Sequence, residues 1–183
     1  MASAFGHAFA AITIGNSFNK NLFNFKFWFI GVACSILPDA DVIGFFWGVP
    51  YESFWGHRGF SHSFLFAAIA GVFFALIFYR NELKIKYRLA LSVYFTLCTA
   101  SHSILDAMTS GGLGVAFFSP WDNQRFFFPW RPIKVSPIGV ESFFSEWGYN
   151  VIMSELVWVG LPGIVLLGAI WGVKKYALKS GKM

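Results

Sequence analysis

All four histidines and three of the four aspartates of this 183-residue chain fall in compact clusters within or beside apolar segments. They are His7, the pair Asp39 and Asp41 in Leu-Pro-Asp-Ala-Asp, His57 and His62 in His-Arg-Gly-Phe-Ser-His-Ser, and His102 with Asp106 in Ser-His-Ser-Ile-Leu-Asp. Ionisable groups are expensive at membrane depth and rarely sit there without a role. Imidazole and carboxylate together form the ligand set of hard and borderline divalent metals. The seven residues read as a metal centre set into a membrane protein.

Spacing sharpens that reading. His102 and Asp106 are i and i+4, so a helix projects both from one face. Asp39 and Asp41 follow a proline; on an extended segment residues two apart point the same way, so both carboxylates could share one cavity and bridge two metals. Left unpaired they would repel and take up protons. The competing reading of Asp39 as a helix N-cap accounts for one carboxylate but not both. Gly59 lets the chain turn between His57 and His62, and Ser61 or Ser63 could orient an imidazole. Arg58 is available to clamp a phosphate, or is an ordinary interfacial arginine.

These residues need elements to hold them. The chain is 56% hydrophobic and 13% charged, against about 25% charged in average soluble domains, with a mean hydropathy of +0.58. An all-α, polytopic membrane bundle follows, one domain over residues 1–183. Its segments run from about Ala4 to Phe18, Lys26 to Pro38, Ser63 to Tyr79, Leu89 to Leu105 and Leu156 to Val173, with a short apolar stretch from Val42 to Val49. About 20 apolar residues cross a bilayer. Four to five membrane-embedded helices are expected, the last over about 152–173. The basic residues mark segment ends rather than a polar face, which argues against a nucleic-acid partner. Cys34 and Cys98 lie in apolar stretches and make no disulfide framework. No basic region precedes the first apolar run, so a cleaved leader is not expected.

Lys20, Lys26, Arg80, Lys84, Lys86, Arg88, Lys174, Lys175, Lys179 and Lys182 fall on one side if the N-terminus faces out and the tail faces in; Arg58, Arg125, Arg131 and Lys134 fall on the other. Cation bias of this kind sets orientation. At the rise of a helix, Asp39 lies about 20 Å from Lys26, His102 about 21 Å from Arg88, Asp106 about 27 Å from Arg88, and His62 about 25 Å from Arg80. Separate segments thus deliver their ionisable groups to one layer near the outer leaflet. The interfacial stretch of about 108–150 includes Phe117–Arg131, where aromatics alternate with Arg125 and Arg131 between prolines, as suits a headgroup layer.

The blocks LPDADVIG, HRGFSHS, SHSILDAMTS and SPWDNQRFFFPWRPIKVSP, with His7 in Gly-His-Ala, resemble the LexA-regulated, inner-membrane-associated metal-dependent hydrolase family (YdjM-like) over about residues 5–138. The resemblance implies a bacterial inner-membrane hydrolase. A more distant likeness, in ligand order, is to the zinc-dependent phospholipase C and S1/P1 nuclease group. That likeness implies ligand roles for His7, Asp39 or Asp41, His57 or His62, and His102 with Asp106. The further histidines of that group are missing here.

The functional expectation is hydrolysis of a phosphoester in a lipid or lipid-linked substrate. One or two divalent ions, zinc first and manganese second, would be held by His7, Asp39, Asp41, His57, His62, His102 and Asp106. Asp41 is the candidate base, and Arg58 and Arg125 the candidates to stabilise developing charge. Membrane lipids are the expected partners, and a periplasm-facing site with a cytoplasmic C-terminus the expected placement. The alternatives are a metal or proton-coupled transporter, a haem protein ligated through His62 and His102, and a metal that only ties helices together.

Overall fold

The computed structural model describes residues 1–80 and 84–179. Lys182 therefore lies outside the described residues. Among the described residues the chain is helical and contains no strand, only the isolated bridges Thr109–Ile133 and Val115–Phe126. Helix α1 spans Ala4–Gly15, α2 Phe25–Ile36, α3 Phe64–Tyr79, α4 Ile85–Ala107, α5 Val140–Phe143, α6 Glu146–Glu155 and α7 Leu161–Lys179. The N-terminal ends are set by polar caps. Ser3, Asn24, Ser63 and Ser145 each accept from a backbone N–H of their helix's first turn, satisfying donors a helix start leaves unpaired.

Two helical stretches are long and apolar enough to cross a membrane, Phe25–Trp47 and Glu146–Ala177; α1 and α3 are shorter apolar helices. Both long stretches differ from the sequence reading. The α-helix α2 does end at Ile36, just before Pro38, but the chain stays helical: Pro38 sits at the start of a 3-10 helix, Leu37–Trp47, that carries it on. Proline is tolerated there because first-turn N–H groups lack intrahelical partners anyway. The aspartates are consequently not on an extended segment. At 3.0 residues per turn, positions two apart point in different directions, and Asp39 and Asp41 part company. The last helical stretch begins earlier than about 152, because Ser145 caps α6 with Glu146 in its first turn. The segment 108–150 is shortened to match. A π-helical turn, Leu156–Gly160, joins α6 to α7.

The core lies among α1, α2, α3 and α4. Phe27 stacks on Tyr94 with centroids 4.2 Å apart and planes 11° apart, amid buried Ala11, Ile30, Leu91, Phe95 and Cys98. The two thiols, Cys34 and Cys98, are buried and free. Outward faces stay apolar: Phe73, Ile77, Ile164, Val165 and Val173 are exposed, as lipid contact requires. Helices α3 and α4 touch at Gly71, where a Cβ would meet Thr96 Oγ1 at 2.1 Å and Thr96 N at 2.5 Å. Small residues at such crossings let backbones approach in the absence of a hydrophobic drive between helices.

Two of the lysines hold helix ends. Lys26 donates to the carbonyl of Phe78 and lies over the Tyr79 ring. Lys174 Nζ donates to the carbonyls of Asn16 and Phe18, at 2.6 and 3.0 Å. Gly71→Ala should destabilise the protein in detergent by about 1–3 kcal/mol, because backbone rather than a flexible side chain must yield. Gly168→Ala, with nothing within 4 Å, should cost nothing and gain up to about 1 kcal/mol from helix propensity in the same unfolding titration.

Candidate metal centre

Three segments converge on one dry volume. Helix α4 supplies His102 and Asp106 one turn apart, the 3-10 helix Leu37–Trp47 supplies Asp39, and the turn Phe60–His62 supplies His62. His62, His102 and Asp106 are fully buried and Asp39 nearly so. His102 Nε2 lies 3.1 Å from His62 Nε2 and 3.3 Å from Asp39 Oδ1. His62 Nε2 lies 3.7 Å from Asp39 Oδ1 and 3.8 Å from Asp106 Oδ2; His102 Nε2 is 3.9 Å from Asp106 Oδ2. Ligands about 2.0–2.1 Å from a tetrahedral zinc stand about 3.4 Å apart. The observed separations scatter around that edge.

The protonation pattern makes the fit chemical as well as geometric. His102 Nδ1 lies 2.7 Å from the Ser35 carbonyl. A carbonyl only accepts, so the proton is assigned to Nδ1 and Nε2 presents a lone pair. His62 Nδ1 lies 3.2 Å from Asp41 Oδ2, which assigns its Nε2 in the same way. Two lone pairs and two carboxylate oxygens therefore face one another away from water, and Asp39 Oδ1 has no hydrogen-bond partner. The donor set fits a divalent ion. Without one, a proton serves: burial pushes His62 down, but Asp39 and Asp41 outweigh it and hold the group up at about 9.

His7 enters from α1. Its ring stacks on His102 with centroids 3.8 Å apart, and Nε2 lies 3.4 Å from Asp106 Oδ1. Both its ring nitrogens are buried without a hydrogen-bond partner. A fully buried imidazole with two unsatisfied nitrogens is costly, and His7 lies beside, not within, the groups of mutually close ligand atoms.

Asp41 faces the far side of His62. It lies 2.7 Å from His57 Nδ1 and accepts from Ser61 Oγ at 2.5 Å and from the Arg58 N–H at 3.2 Å. Asp41, His57 and His62 Nδ1 form a second group of metal-competent atoms sharing His62 with the first. A carboxylate behind a ligating imidazole fixes its tautomer and raises its basicity. Burial draws His57 below its ordinary value against the opposing pull of Asp41.

Arg58 is fully buried, with a left-handed φ of 64°. Its Nε donates to Asp106 Oδ2 at 3.0 Å, Nη1 to the Gly111 carbonyl and Nη2 to Thr109 Oγ1, both at 2.9 Å. All three nitrogens are thus engaged by protein, and the guanidinium balances Asp106. Arg125 donates to the carbonyls of His57, Tyr51 and Ser53, so it ties down the 51–57 loop from outside the cluster. The segment after α4 roofs Arg58: Ala116 N–H donates to the Arg58 carbonyl and Phe64 N–H to the Phe117 carbonyl. Phe118, Trp121 and Trp130 stay exposed on that segment.

Three contributors escaped the sequence reading. The Ser35 carbonyl and Thr109 gave no side-chain signal, since serine and threonine near helix ends are commonplace. Glu155 did: it is an acidic residue opening an apolar run, and it proves nearly buried.

The model of the YdjM inner membrane protein family matches residues 1–178. The chain belongs to that family. It is 38% identical over 174 residues to the Escherichia coli K12 inner membrane protein YbcI, covering 93% of this chain and 98% of that one. No solved structure matches, so the likeness to the phospholipase C and S1/P1 nuclease group rests on ligand order alone. Membership in a YdjM family of inner membrane proteins agrees with the apolar helices and with the resemblance read from LPDADVIG and HRGFSHS.

Asp41→Asn keeps the shape and removes the charge behind His62. Affinity for a divalent ion, with zinc as the probe, should fall about 10- to 100-fold, measured by competition with a chromophoric chelator. Because His62 must lose its Nε2 proton to ligate, zinc uptake between pH 7 and 8.5 should release about one proton from that residue, and affinity should rise with pH up to about 9. Calorimetry in buffers of different ionisation enthalpy reads this directly; a buffer-independent heat would contradict it.

Proposed function

We propose that the protein is a membrane-bound metal-dependent hydrolase acting on a phosphoester of a lipid or lipid-linked substrate, with zinc as the preferred ion. The observation that carries the reading is the buried ring of mutually facing acceptors: His62 Nε2, His102 Nε2, Asp39 Oδ1 and Asp106 Oδ2. Those four residues would hold the ion, with His7 beside them. A bound zinc ion supplies Lewis acidity toward a phosphoryl oxygen and activation of water near neutral pH.

The chain's own groups do the rest. Arg58 holds Asp106 in place and offsets its charge. Asp41 aims His62. The Asp41–His57 dyad carries a proton between carboxylate and imidazole, which suits it to receive one from water. Of the seven clustered residues, Asp39 and Asp41 have the most exposed side chains, at 9% and 6%, so that edge is where substrate would approach a bound ion.

Lipid as the substrate class is supported by what lies there. A cavity of about 420 Å³ brings Asp41 and Ser61 together with Trp47, Trp55, Phe60 and Phe66. Trp47 and Trp55 are also largely exposed, as rings at a membrane interface are. An apolar wall beside a polar edge suits a substrate with a hydrocarbon part and a phosphorylated head. The gathering of lysines and arginines at the opposite end supports a cytoplasmic C-terminus and a periplasm-facing site.

Elemental analysis of detergent-purified protein, beside His102→Ala/Asp106→Ala, tests the centre. The expected result is near-stoichiometric zinc or manganese in the wild type, lost in the double variant together with hydrolysis of phosphatidyl phosphodiesters and lipid phosphomonoesters. Wild-type protein that neither carries nor takes up metal would overturn the hydrolase reading and favour proton-coupled transport through the same residues.

A further inference from the structure

Glu155 is a buried carboxylate on the last helical stretch, at the junction of α6 and the π-helical turn. Nothing in the mechanism above uses it. Its partners are on the first helix. Ser3 N–H donates to Oε1 and Ser3 Oγ–H to Oε2, both at 2.5 Å. Ser3 is the N-cap of α1, and its hydroxyl oxygen accepts in turn from Gly6 N–H at 3.3 Å. A single carboxylate from α6 therefore completes the N-terminal cap of α1, where the helix dipole favours negative charge.

Gly6 makes room for it. A Cβ at that position would stand 2.9 to 3.1 Å from the Glu155 carboxylate atoms. His7 follows Gly6 directly, and its imidazole has no hydrogen bond of its own to hold it. The rotation and height of the first turn of α1 therefore decide where that ring points. The adjoining residue Ala2 donates its N–H to Asp106 Oδ1 at 2.6 Å, so the same short segment is pinned to Glu155 on one side and to the centre on the other. The π-turn adds a residue to the helix just after Glu155. Such bulges recur at functional sites.

We propose that Glu155 is a positioning residue for the metal centre: by clasping Ser3 against Gly6 it sets α1 so that His7 faces Asp106 and the bound ion. The inference rests on the metal reading above. On this account the last helical stretch is part of the site's frame rather than a bare anchor. Glu155 touches no ligand atom of the centre and acts through the first turn of α1, His7 above all, which separates it from a residue that merely stabilises the fold.

The test is a double-mutant cycle on zinc affinity in detergent, with helicity and monodispersity checked for each variant. Glu155→Gln should weaken zinc binding about 10-fold or more, within the range for groups that orient ligands. In the His7→Ala background, itself weakened, Glu155→Gln should change affinity less than twofold. Gly6→Ala is the second probe. It should raise intrinsic helix propensity and yet weaken zinc binding, because its methyl group displaces the Glu155 carboxylate. Equal loss from Glu155→Gln in both backgrounds, or unchanged affinity in Glu155→Gln or in His7→Ala, would overturn the proposal while leaving the Asp39–His62–His102–Asp106 centre standing. Metal-free wild type would instead remove the centre itself, and this inference with it.

Discussion

Mutual repulsion among acceptors in a dry interior is the constraint around which the rest of the structure is arranged. Two imidazole lone pairs and two carboxylate oxygens stand 3 to 4 Å apart, where low dielectric magnifies every unbalanced charge. The surrounding protein answers this in a specific way. Arg58 lends Asp106 a permanent cation, the Ser35 carbonyl and Asp41 each fix a tautomer, and the roof over Arg58 keeps water out. Every one of those supports keeps the four atoms aimed inward rather than letting them turn away to solvent.

The roles of Asp41 and Arg58 follow from local backbone geometry more than from residue type. Had Leu37–Trp47 been extended, both aspartates would have lined one cavity. The 3-10 turn sends Asp39 to the imidazole Nε2 atoms and Asp41 to the opposite edge of His62. Similarly, the left-handed φ at Arg58 turns its side chain inward, against Asp106 and Thr109, while its neighbours His57 and Ser61 contact Asp41. One conformational detail thus divides a set of like residues into ligands and the groups that steady them.

Much of the site was legible in the sequence because membrane depth strips away background. In an apolar chain, His7, Asp39, His62, His102 and Asp106 stand out by type alone, and helical rise put most of them at one level before any coordinates. The helix bodies were legible for the same reason. Less legible were features set by backbone or by long-range contact: the 3-10 continuation past Pro38, the carbonyl of Ser35, and the pairing of Glu155 with Ser3 across 152 positions. Glu155 shows where the logic was applied too narrowly. The rule that flagged histidines inside apolar runs applied equally to an acid at the threshold of one.

The cations at the far end of the bundle serve two purposes at once. Lys174 donates to the carbonyls of Asn16 and Phe18 just past the end of α1, and Lys26 to that of Phe78 near the end of α3, where helices leave acceptors unfilled. Lysines that bias insertion on the proposed topology therefore also hold helix ends. Orientation and fold cannot drift independently in such a chain. A lineage that reversed its charge asymmetry to invert the protein would fray the very ends it was relocating, so these lysines tie sidedness to stability.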